Sequence, residues 1–346
     1  NGNHGLNASW TLYNGNKRLK TIQQEKLNNQ MAELDVATSE NNIQESIAQV
    51  YIQILYAAES VKVNENTLQV SIAQRDRGQE LLNAGSIAKS DLAQLEAQVS
   101  TDRYQLVTAQ ATLEDYKLQL KQLLELDGEN EMNIYLPTLS DENVLAPLPT
   151  KRDVYISALS LRPEIEASKL NVEASELGIN IAKSSYFPTI SLSAGIGTNH
   201  TSGSDFTFGE QVKNGWNNSI GLSVSVPIFN NRQTKSAVQK AKLQYETSML
   251  SLLDEQKALY KTIESLWLDA NSAQQRYAAA NEKLKSTQIS YELISEQFNL
   301  GMKNTIELLT EKNNLLQAQQ EQLQAKYMAI LNTQLLKFYQ GDKLAL

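Results

Sequence analysis

The chain has 346 residues, a formal net charge of −8 and 41% apolar residues, with only 15 Gly and 6 Pro. That balance favours long uninterrupted helices over a loop-rich all-β protein, and its acidity argues against a nucleic-acid groove, which needs clustered Lys and Arg. With 0 Cys and 2 His (His4 and His200, both in Gly/Asn/Ser-rich surroundings), disulfides, thiolate chemistry, a His-based triad and a metal centre are not expected. Neither is a cofactor or an enzyme activity, because no phosphate-binding Gly-rich loop or reactive constellation is present.

No stretch of about 18 apolar residues occurs, so no helix is expected to cross a membrane. The chain opens on Asn1-Gly2-Asn3-His4-Gly5, which reads as a turn rather than a signal peptide and suggests a mature or trimmed product. Immediately afterwards Leu6, Ala8, Trp10 and Leu12 alternate with Asn7, Ser9 and Thr11. This predicts a strand over 5–13 with one apolar and one polar face.

From about Asn16 to Asn83 the period changes to steps of three and four: Leu27, Met31, Leu34, then Ile43, Ile47, Val50, Ile54, Ala58, Val61. The spacing predicts one helix, a rod on the order of 100 Å long at about 1.5 Å per residue. Asn83-Ala84-Gly85-Ser86 reads as a C-cap break, and helical spacing resumes over Ile87–Leu126. So short a turn predicts an antiparallel hairpin, 16–126. Residues 127–151 hold Pro137, Pro147 and Pro149 and read as a connector. A helix over 152–185 follows, interrupted at Arg162-Pro163-Glu164, where Pro163 is expected to start a fresh helix.

Period two then returns. Ile190, Leu192, Ala194 and Ile196 oppose Ser191, Ser193, Gly195 and Gly197; Ile220, Leu222, Val224, Val226 and Ile228 oppose Ser219, Gly221, Ser223 and Ser225. The expected strands are 188–198 and 218–229, separated by a Gly/Ser/Asn/aromatic loop, 199–217. A second long helix, the break Asn299-Leu300-Gly301-Met302 and a return helix make a second hairpin, 230–340, before a tail, 341–346.

The two halves repeat. Gly85 and Gly301 are separated by 216 residues, and the same offset pairs Leu6 with Leu222, Asn14 with Asn230, Tyr51 with Trp267, Glu80 with Glu296 and Lys121 with Lys337. A chance match of two helices would not also align strand ends and both Gly breaks, so the unit is strand, rod, tip turn, return rod. Two-faced strands leave open edges, and within lipid only a closed barrel satisfies them. Ser, Gly and Thr would then line a lumen, the aliphatic faces would meet acyl chains, and the rods would extend into an aqueous compartment. The alternative is a small half-buried sheet on a helical bundle.

The chain resembles the TolC-type outer-membrane efflux channels. The stretches that carry the likeness are Leu12-Tyr13-Asn14-Gly15-Asn16-Lys17-Arg18, Leu161-Arg162-Pro163-Glu164-Ile165, Tyr186-Phe187-Pro188-Thr189-Ile190-Ser191-Leu192, Val226-Pro227-Ile228-Phe229-Asn230 and the two tips. The resemblance implies a mainly α protein with β: transmembrane barrel strands, four from each subunit, completed by trimerisation and continued by a long antiparallel α-helical barrel across the periplasm. It also implies a homotrimer in the bacterial outer membrane, a periplasmic adaptor and, through it, an inner-membrane pump. Only three strands are present here. The Ile87–Leu126 and Asp153–Ser184 helices stack to roughly 108 Å, whereas the last helix gives about 52 Å. An export signal, a helix and a strand are therefore expected upstream of Asn1.

Carried over by position, Asp91 is the acidic partner near the first tip and Lys303 the basic residue that links neighbouring coils. Glu307 falls at the entrance carboxylate ring, which favours cations. Thr310 stands where the family pattern has a second carboxylate, which weakens the ring. The tips Asn83, Ala84, Gly85, Ser86 and Asn299, Leu300, Gly301, Met302 resemble adaptor-contact loops. Asn7, Ser9, Ser191, Ser193, Ser219, Ser223 and Ser225 would face the barrel lumen. Trp10, Tyr13, Phe187, Trp216 and Phe229, near strand ends, would form an aromatic belt. Each charge also reads as a solvated helix face, each tip as a plain cap and each aromatic as ordinary packing. The function implied is a passive exit duct for efflux or secretion; the alternative is an envelope coiled-coil scaffold without a pore.

Overall fold

A computed structural model describes residues 1–126, 134–135 and 144–344. Most of the 127–151 connector and residues 345–346 of the tail lie outside the described residues. In chain order the elements are β1 (Gly2–Asn14), α1 (Lys17–Asn83), α2 (Lys89–Leu123), α3 (Lys151–Leu161), α4 (Pro163–Ser184), β2 (Thr189–His200), α5 (Phe208–Asn214), β3 (Asn217–Ser225), α6 (Gln233–Asn299) and α7 (Thr305–Gln340). The chain divides into two compact units, Asn1–Ala37 with Pro163–Lys257 and Thr38–Arg162 with Ala258–Leu346.

The first unit holds an antiparallel sheet in the order β1-β2-β3. Its register places Ala8 opposite Ala194 and Ala194 opposite Ile220, Trp10 opposite Leu192 and Leu192 opposite Leu222. Partners across a ladder share a face, so Leu6, Trp10, Leu192, Ile196, Ile220 and Leu222 form one apolar surface. The opposite face joins Asn7, Gly195 and Ser219, then Ser9, Ser193 and Gly221, then Thr11, Ser191 and Ser223. Thin side chains keep that second face close to the backbone, and Ser193 Oγ donates to the Gly221 carbonyl at 3.2 Å.

Three expectations are corrected here. The register shifts between Thr11 and Tyr13; this bulge gives Tyr13, rather than Leu12, the place opposite Ile190. The last strand stops at Ser225 instead of running to Phe229, since Pro227 has no N–H to give a ladder. The 199–217 segment is more than a loop: strands extend into both of its ends and it contains α5. A capping box makes that helix, with Thr207 Oγ1 accepting from the Glu210 amide and the Glu210 carboxylate accepting from the Thr207 amide at 2.9 Å.

Beside the sheet, Gln24 on α1 donates to the Ala174 carbonyl on α4 at 2.9 Å, and the Ser175 and Ser248 hydroxyls meet at 2.8 Å between α4 and α6. Gly15, at φ +65°, turns β1 into α1; a Cβ there would lie 2.7 Å from the Ser184 carbonyl oxygen, so glycine is required.

The second unit is helical. Ser71 meets Asp102, and Gly78 lies against Leu95, so α1 and α2 run antiparallel. Ser290 meets Glu311 and Lys283 meets Glu321, giving α6 and α7 the same relationship. The main core joins Ile52 and Leu55 of α1, Ala273 and Tyr277 of α6, and Leu323, Tyr327, Ile330 and Leu335 of α7. Pro163 starts α4 as expected. Its preceding Arg162 is 6% exposed, pairs with Glu45 at 3.2 Å and lies 4.2 Å from the Tyr339 ring centre. A guanidinium can lie against a ring while it pairs with a carboxylate, and Arg162 makes both contacts.

Candidate functional site: two helix tips, a buried clasp and a two-faced sheet

Both expected tips end their helices in the same way. The Ser86 amide donates to the Leu81 carbonyl and the Gly85 amide to Leu82. Met302 and Gly301 repeat this with Gln297 and Phe298. These are Schellman closures, and they need a left-handed residue, supplied by Gly85 at φ +72° and Gly301 at φ +73°. Asn83, Ala84, Gly85 and Ser86 are exposed, as are Asn299, Leu300, Gly301 and Met302. Beneath them Leu95, Phe298 and Leu308 form a small apolar core.

Each candidate gate charge sits on a helix start. Asp91, in the first turn of α2, accepts from the Ala88 amide at 3.0 Å. Glu307, in the first turn of α7, accepts from the Asn304 amide while Asn304 Oδ1 accepts from the Glu307 amide at 2.9 Å. Lys303 bonds the same Glu307 carboxylate four residues away. The Lys303 hydrogen bond, the Asn304 amide and the ammonium charge together hold the Glu307 carboxyl below its ordinary value. Thr310 Oγ1 donates back to the Ile306 carbonyl at 2.8 Å. Among the described residues, Lys303 and Glu307 are brought together within one helix start, whereas Asp91 and Lys303 are not.

Further along the same helices lies a polar cluster that the sequence reading did not identify. Lys312 of α7 is 3% exposed and Asp102 of α2 is 2% exposed. They form an ion pair, and both bond the Ser71 hydroxyl of α1. Gln98 donates to the other Asp102 oxygen at 2.8 Å. Burial pushes the Lys312 amine below its ordinary value, with the Asp102 hydrogen bond and charge opposing the shift. Nearby, Gln74 of α1 donates to the Tyr291 hydroxyl of α6 at 2.8 Å. The signal was present in the spacing. Asp102 stands between Val99 and Leu106, and Lys312 between Leu308 and Leu315, both at steps of three and four that otherwise carry apolar residues. A polar residue at such a position marks a buried partner.

In the sheet, Asn7, Ser9, Ser193, Ser219, Ser223 and Ser225 are exposed and Ser191 half-buried on the thin polar face. The apolar face is exposed too: Leu6 73%, Ile220 84% and Leu222 66%. Tyr13 and Phe187 lie at the end of the sheet where α1 begins, Trp10 sits further in, opposite Leu192, and Trp216 precedes β3 at the other end; these four and Phe229 are exposed. Such an aliphatic surface is not left to water in a stable fold.

Comparison with known proteins agrees with this geometry. A family model described as outer membrane efflux protein matches residues 154–341. The outer membrane efflux protein BepC of Brucella suis is 24% identical over 84% of this chain and 61% of its own length. The outer membrane protein TolC of Escherichia coli is 24% identical over 82% of this chain and 58% of its own length. The chain thus spans about three-fifths of these two relatives. A crystal structure of CusC superposes with a TM-score of 0.84 at 20% identity, covering 99% of this chain and 78% of that one, so the fold is shared. The chain belongs to the outer membrane efflux protein family.

Proposed function

We propose that this protein is a passive exit duct in the bacterial outer membrane, serving a tripartite efflux or secretion system. The observation that carries the reading is the sheet, with one exposed aliphatic face, one thin polar face and β1 and β3 at its edges. In the family pattern three subunits, each giving four strands, close such edges into a barrel. The Ser and Asn face then lines water and the Leu and Ile face meets lipid. The α1–α2 and α6–α7 hairpins, related by the 216-residue sequence repeat, continue the wall into the periplasm. The exposed tips at Gly85 and Gly301 meet a periplasmic adaptor, which links the duct to an inner-membrane pump that supplies the energy.

Asp91, Lys303 and Glu307 form the entrance. Three copies of Glu307 around one axis would make an anionic constriction favouring cations. Exposed pairs contribute only about 0–1 kcal/mol each, which suits a gate that must open. Planar-bilayer recording tests the reading. The purified protein is expected to give stepwise ion currents, larger in Asp91→Ala or Lys303→Ala than in the native chain. Inserted protein without current, even with Asp91 and Glu307 both neutralised, would mark a scaffold instead of a channel.

A further inference from the structure

We infer that helix α5 is a lipid anchor: it folds onto the membrane side of the strand ends and sits at the polar boundary of the outer leaflet. The inference rests on the reading above, in which the aliphatic sheet face meets lipid.

Register decides which side of the sheet α5 occupies. Gly2 stands opposite His200 and His4 opposite Thr198, so His4, Thr198 and His200 share the face that carries Leu6, Trp10, Ile196 and Ile220. The ring contacts and the Thr198 hydrogen bond that hold α5 are made on that face, while the Thr201 amide at the strand end donates to Gln211 Oε1 at 2.8 Å. The His4 and His200 rings stack at 5.6 Å, within 5° of parallel, and Phe208 of α5 meets His200 edge-on at 5.1 Å. Thr198 Oγ1 donates to the Val212 carbonyl at 3.0 Å. His200 Nδ1 is enclosed with no hydrogen-bond partner among the described residues, so this ring serves as a packing plate. The helix therefore does not lie across the thin polar face.

The segment around α5 exposes aromatic rings beside the polar Glu210, Lys213 and Asn214, the mixture that suits a bilayer boundary. Phe206 is 61% exposed, Phe208 60% and Trp216 55%; Phe208 begins α5 and the other two flank it. Aromatic rings concentrate where acyl chains give way to headgroups. A seven-residue helix would not hold together alone in water. This one is preformed by its Thr207–Glu210 capping box and tied to β2, so little ordering remains to be done at the surface.

The chain has 0 Cys, so single spin labels can be placed without background. Phe206→Cys and, as a second reporter on the same patch, Trp216→Cys are compared with Ile220→Cys on the aliphatic face and Ser219→Cys on the polar face. The protein is reconstituted in phosphatidylethanolamine–phosphatidylglycerol vesicles. The ratio of oxygen to nickel-chelate collision rates is expected to be several-fold higher at 206, 216 and 220 than at 219. Ratios at 206 and 216 equal to that at 219, with 220 still high, would overturn the anchor and leave the duct reading standing. A low ratio at 220 as well would remove both.

Discussion

Lys312 and Asp102 face each other across α7 and α2 in the interior of the helical unit, 4% and 2% exposed at their side chains, with the Ser71 hydroxyl of α1 as a shared third member. Three helices that approach one another mainly through side chains are thus tied at one point. Removing one partner strands the other charge away from water. Lys312→Met is expected to destabilise the unit by about 3–5 kcal/mol, whereas Lys312→Met with Asp102→Leu regains most of that loss, because a buried pair is replaceable by packed apolar groups. Denaturant unfolding followed by helical circular dichroism measures both. Equal losses in the single and double variants would show that the pair contributes beyond its own charge balance.

Glu307 makes the second tip sensitive to acid. Its folded-state carboxyl titrates below the ordinary value of 4.5, first through the Lys303 hydrogen bond. The unfolded chain therefore binds this proton first as pH falls. The stabilisation is fully present above about 4.5 and is lost as pH drops through the lower folded value. Amide exchange over Thr305–Leu308 should accelerate in that acid window, and Lys303→Met should move its midpoint upward. An unmoved midpoint would mean that Lys303 does not set the Glu307 titration.

The two tip glycines test backbone conformation alone. A Cβ built on Gly85 or Gly301 meets nothing within 4 Å, so a substitution there has a conformational cost and no clash. Gly301→Val should lower stability by about 1–2 kcal/mol, the cost of a left-handed L-residue. Gly301→Asn should cost less, since Asn tolerates that region. Urea midpoints of the two variants should differ in that order, and a reversed order would contradict the Schellman closure.

Adjacent residues on β3 should behave oppositely in a membrane. Leu222→Arg puts a charge on the aliphatic face and is expected to cost about 2–4 kcal/mol if it lies near the bilayer midplane, while Ser223→Arg on the polar face is tolerated. Folding titrations in lipid vesicles compare the two. Similar costs at both positions would contradict the assignment of the two faces.

How much of this was legible in the sequence depends on the length of the pattern. Sixty-seven residues of steps of three and four without a proline left little choice for α1 or α6, and Gly85 and Gly301 marked both helix ends. Strand faces could be read from strict alternation, but the bulge beside Leu12 could not, because it changes register without changing composition. Helix α5 was missed because seven residues show no period; only its Thr207-to-Glu210 spacing announced it. The Lys312–Asp102 pair was legible only as two charges at positions of apolar spacing, Asp102 between Val99 and Leu106 and Lys312 between Leu308 and Leu315, and nothing in that spacing says that the two face each other. Asp91 and Glu307 also hold helix starts, a role that an acidic residue in a first turn signals.

Single-particle imaging of the protein in detergent tests the central claim most directly. The account predicts a threefold particle in which β1 and β3 of neighbouring copies lie within a continuous, water-filled ring, prolonged by the helical hairpins. A single copy with its Leu6, Ile220 and Leu222 surface packed against its own helices would contradict it.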